Sequence, residues 1–139
     1  MDSRVQWRNA ATSIREESSG HENRLALAEF CQSVAESPLC YELEINTEWL
    51  PNRIYIKKSH GAFPSKMLKL ESITENRIEI CWSDNSTNSE KYFFPHTPAR
   101  SLVERAMYIV NELDWSREVV QFNGPIDWIA QKLGRQTKP

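Results

Sequence analysis

Apolar residues along the chain recur with two different periods, and the switch between them divides it into regions. Trp7, Ala10, Ala11 and Ile14 fall at helical spacing, which predicts a short helix over 3–17 or an equivalent mobile N-terminal arm within residues 1–20. Ser18-Ser19-Gly20 closes that stretch. Leu27, Phe30, Cys31 and Val34 form a second stripe, predicting a helix over 23–36 with Asn23 as N-cap and Pro38 enforcing the stop.

From Leu39 the period becomes two. Leu39, Tyr41, Leu43 and Ile45 alternate with Cys40, Glu42, Glu44 and Asn46, as expected of a strand with one buried face. A turn over 47–52 leads to a second strand carrying Ile54 and Ile56. Leu68 and Leu70 mark a third, Ile78, Ile80 and Trp82 a fourth, and Tyr92 and Phe94 a fifth. Connections this short favour an antiparallel meander over about 39–94. If Asn46 pairs with Arg53 across the first turn, Glu42 stands opposite Lys57 as a cross-strand charge pair.

Thr97-Pro98 then offers an N-cap and a proline at the first helical position. Leu102, Ala106, Ile109, Val110 and Leu113 follow, predicting a helix over 98–113. Residues 118–122 read as a short strand, Asn123-Gly124 as a turn, and Pro125 opens a last helix ending at Gly134, with a frayed tail over 135–139. Strands in one run flanked by helices predict an α+β domain over 21–134, its helices covering one face of the sheet.

Composition fits one globular unit: 139 residues, 40% apolar and 26% charged. No apolar run is long enough to span a bilayer and the N-terminus lacks a signal-peptide layout, so a cytoplasmic protein with no membrane partner is expected. Cys31, Cys40 and Cys81 have no paired spacing and are expected as free thiols. The net charge of −2 conceals a segmentation, because residues 53–70 carry five basic side chains and no acidic one.

Candidate chemistry is sparse. The four glycines form no phosphate-cradling loop, and the histidines and cysteines share no metal-ligand spacing, so neither a cofactor nor a metal is expected. Glu42 and Glu44 read as surface charges, and Cys31, on an apolar helix stripe, as an inert thiol. His60 and His96 are the catalytic candidates, as the acid–base pair of a small metal-free nuclease.

The sharper feature is the 53–70 hairpin. Arg53, Tyr55 and Lys57 are expected on the outward face of one strand and Lys69 on the next, with Lys58, His60, Phe63 and Lys66 around the connecting loop. Interleaved cations and aromatics suit an anionic partner, including nucleic acid. Trp49 in a turn and Trp115 beyond a helix end are expected to be partly exposed, as aromatics at interfaces are. The order of helices and antiparallel sheet, with its acidic balance, is similar to the layout of small secretion chaperones and toxin-neutralising immunity proteins. That resemblance is architectural and carries no site residue over. The expectation is a non-catalytic binding module that regulates, neutralises or escorts a protein partner. The first alternative is nucleic-acid binding through the hairpin, and self-association as a homodimer is compatible with either.

Overall fold

The computed structural model describes residues 2–58, 66–74, 77–84 and 89–112. The order is α1 (Ser3–Glu16), α2 (Glu22–Ala35), a 3-10 helix (Pro38–Tyr41), β1 (Leu43–Asn46), β2 (Arg53–Lys58), β3 (Lys66–Thr74), β4 (Arg77–Asp84), β5 (Ser89–Thr97) and α3 (Ala99–Glu112). The five strands form one antiparallel sheet in the order β1-β2-β3-β4-β5, the predicted meander. The expected C-terminal strand and helix lie outside the described residues.

One core joins the helices to one sheet face. Trp7, Ile14, Leu27, Phe30, Leu102 and Ile109 meet Ile54, Ile56, Leu68, Leu70, Ile78 and Ile80, all out of water. The 3–17 segment is therefore a packed helix and not an arm: the Trp7 ring stands edge-on to Phe30 at 6.2 Å, and its Nε1–H donates to the Leu43 carbonyl at 3.1 Å. That bond ties α1 to β1, an edge strand. The α1–α2 connection turns at Gly20, whose φ of +80° is a conformation that side chains resist.

Five local expectations are corrected. Residues 38–41 are helical, because Ser37 Oγ accepts from the Leu39 amide (3.2 Å), donates to the Val34 carbonyl (3.0 Å), and hands the chain to Pro38 at the first helical position. Tyr41, expected inward, is exposed beneath the Arg4 guanidinium at 5.4 Å. The β1–β2 register is two residues from the expected one: Asn46 faces Tyr55, and Lys57 faces Glu44, with 3.6 Å between their charges, instead of Glu42. Bonds from Asn52 and Arg53 amides to the Trp49 carbonyl (both 3.2 Å) lengthen the turn, and a two-residue slip keeps every side chain on its face, so alternation alone cannot detect it.

Helix starts account for the other two. His21 holds the N-cap position of α2, whereas Asn23 is buried in the first turn and donates through Nδ2 to the Thr74 carbonyl. Thr97 ends β5 opposite Ile78 with its hydroxyl buried and unbonded among the described residues, so it does not cap α3. The Ser101 amide instead bonds the Pro98 carbonyl at 2.9 Å. Bulges at Ile78/Ile80 and Ile80/Cys81 break alternation in β5 and bury both Phe93 and Phe94.

The three cysteines are free and buried. Burial raises the Cys31 thiol above its ordinary value of 9.0, a rise opposed by the Arg15 charge. Above that pH the unfolded chain loses a proton that the folded one keeps, so this group's contribution to stability is flat below pH 9.0 and falls beyond it. One such group contributes up to about 1.4 kcal/mol per pH unit. Urea midpoints at neutral and strongly alkaline pH should diverge in the wild type, and diverge less in Cys31→Ala; equal alkaline losses would contradict this origin.

Candidate functional site

The outward face of the sheet carries the hairpin residues in register. Arg53 pairs with Glu71 and Tyr55 with Lys69 across β2 and β3, and Lys69 with Cys81 across β3 and β4. The expected open basic surface is instead a neutralised one. Glu71 accepts from Arg53 Nη2 at 2.7 Å and lies 3.3 Å from Lys69 Nζ, while Arg77 pairs with Glu79. Lys69, expected to be solvated, is 6% exposed, and Glu79 and Cys81 beside it are 4% and 0% exposed. Lys58 shares the face of Ile54 and Ile56, so it does not join Arg53, Tyr55 and Lys57.

The face leads to a cleft of about 780 Å³. Its walls are the first turn of α2 with Gly20, the turn before β2, and the end of β3. That volume lies within the range of small-ligand pockets, roughly 300–1,000 Å³. Trp49, 49% exposed, and Ile73, 40% exposed, supply apolar surface. The Arg53 guanidinium lies over the Trp49 ring at 5.3 Å and the Tyr55 ring at 5.9 Å, so it is flanked by two aromatics and a carboxylate. Its hydrogen bond to Glu71 holds Arg53 above its ordinary range.

The expected sites thus meet only in part. Trp49 and Arg53 line the cleft together, with Tyr55 supporting Arg53. Lys57 is committed to Glu44, and His96 is an exposed residue of β5, at the opposite edge from β1, whose carbonyl accepts from Arg105 Nη1 at 3.4 Å. His60, Phe63 and Trp115, and the side chain of Lys66, lie outside the described residues. Among the described residues no three His, Cys, Asp or Glu side chains gather as a metal site.

Arg24, His21, Asn52, Glu71 and Ile73 also line the cleft and were not singled out by sequence pattern. They come from three separate elements, so spacing along the chain carries no trace of their meeting. A second recess of about 540 Å³, between α1 and the β1 side, has Glu17 as its one charged lining residue and no aromatic. No helix among the described residues is long and apolar enough to cross a membrane. Set against known proteins, the chain is matched by no family model, no curated protein and no solved structure.

Proposed function

We propose that this chain is a non-catalytic cytoplasmic binding module that regulates, neutralises or escorts a protein partner, which it engages at the Trp49 cleft. The observation that carries this reading is the half-exposed indole of Trp49, with Arg53 laid over its ring, in the wall of a 780 Å³ cleft. Tryptophan and arginine are the residue types that dominate protein interfaces energetically, and a solvated tryptophan is otherwise a cost in solubility. Three buried free thiols suit a reducing compartment.

Nucleic-acid recognition through the hairpin is the weaker alternative. Arg53, Lys57 and Lys69 each face a carboxylate that phosphates would have to displace. The nuclease reading is weaker still, since His96 does not line the cleft.

The reading is tested by capture from nuclease-treated native lysate with wild type, Trp49→Ala and, as a control at the other exposed aromatic among the described residues, Tyr41→Ala. Wild type and Tyr41→Ala should retain the same protein, and Trp49→Ala should lose it by about thirtyfold, the effect of an interface anchor worth roughly 2 kcal/mol. Equal retention by Trp49→Ala would overturn the assignment. Because Trp49 is half exposed, only a small fall in thermal midpoint should accompany the loss.

A further inference from the structure

We infer that the cleft selects an acidic segment of a partner protein, with a carboxylate held by Arg24 and Arg53 and an apolar side chain resting on Trp49 and Ile73. The inference rests on the cleft being the binding face, and it adds the chemistry of what fills it.

Arg24 lines the cleft, is half-buried, and has no ion-pair or hydrogen-bond partner among the described residues. A guanidinium in a cleft wall that pairs with no carboxylate keeps its donors for a ligand. Arg53 is differently prepared. Of its five N–H groups, Nη2 serves Glu71 at 2.7 Å and Nη1 reaches Tyr55 Oη at 3.4 Å, while Nε–H is buried without a partner among the described residues. The Trp49 and Tyr55 rings, with the bond to Glu71, restrict where its remaining donors can project. Planar, pre-oriented guanidinium groups match planar carboxylates.

Charge balance points the same way. Glu71 is shared between Arg53 and Lys69, so this one acid faces two cations, and Arg24 offsets Glu22 on the opposite wall. The lining as a whole is balanced, with Arg24 and Arg53 against Glu22 and Glu71, and the charge of Glu71 is already drawn to Arg53 and Lys69. That balance suits a monoanionic carboxylate at the unpaired Arg24, whereas the two acidic lining residues, Glu22 and Glu71, disfavour a multiply charged phosphate backbone. Trp49 and Ile73 give the neighbouring side chain an apolar seat.

The test uses the full chain, nitrogen-15 labelled, titrated with an acetylated hexapeptide alternating glutamate with leucine. Parallel titrations use the same peptide with glutamine or lysine in place of glutamate, and a short single-stranded oligothymidylate. The acidic peptide should shift the Trp49 indole N–H and the amides of residues 22–24, binding at least about tenfold more tightly than the other two peptides. Arg24→Gln should weaken it about tenfold; this variant breaks no pair among the described residues, whereas Arg53→Gln also loses its bond to Glu71. Equal binding of the glutamine peptide, or an unaltered affinity in Arg24→Gln, would overturn the carboxylate assignment while leaving the cleft as a binding face. Absence of any shift at Trp49 with every peptide would overturn both. Tighter binding of the oligothymidylate at the same resonances would replace the protein segment with nucleic acid.

Discussion

Replacing Trp7 with alanine is expected to cost about 3–5 kcal/mol of stability, a large fraction of the roughly 5–15 kcal/mol margin of a typical domain. The indole is fully buried, so its truncation removes apolar area and leaves a void that α1, α2 and the sheet cannot close without moving. It also loses the edge-on contact with Phe30 and leaves the Leu43 carbonyl without its indole donor. Trp7→Phe separates these contributions, since it keeps an aromatic ring but no N–H, and should lose less than the alanine variant. Urea denaturation followed by far-ultraviolet circular dichroism measures both. A loss below about 1 kcal/mol in Trp7→Ala would mean that α1 is peripheral to the core.

Glu71→Gln should be nearly as damaging, at about 3 kcal/mol, for an electrostatic reason. The glutamate side chain is 14% exposed and accepts from Arg53 while facing Lys69, itself 7% exposed at the side chain. Removing the negative charge leaves two cations adjacent in a partly dehydrated sheet face, and a neutral amide does not offset them. Glu79, directly across β4, gains slightly because a like charge opposite it disappears, which tempers the loss. Glu44→Gln, in an exposed pair with Lys57, should cost no more than about 0.5 kcal/mol. Denaturant midpoints of the two variants give the comparison, and added salt should narrow the Glu44→Gln difference more than the Glu71→Gln one. Equal small losses would show that Glu71 is as well hydrated as Glu44.

Both predictions depend on contacts between segments distant along the chain, which is where sequence reading reaches its limit. Trp7 was legible as an apolar helix position, but its bond to Leu43 was not. The cleft was half legible: Trp49 stood out as an aromatic beside a proline and Arg53 as the start of a basic strand. Arg24, Ile73 and Glu71 carried no signal, because nothing in a helix or strand pattern says which ends will converge.

Periodicity was enough for the α+β class, the three α-helices and five strands among the described residues, and the inward face of each of β2, β3 and β4, since burying one face imposes a 3.6- or 2-residue repeat on apolar positions. It had no purchase on the β1–β2 register, because a two-residue slip leaves every side chain facing the same way. It also misread the outward face as a solvated basic patch. Whether a lysine there is hydrated or paired depends on what lies across the strand, and the sheet brings Glu71 within 3.3 Å of Lys69. The protein's identity as an α+β domain is thus written in local pattern, while the charge of its surface and the cleft beside Trp49 exist only once the strands have paired and α2 has docked against the end of β3.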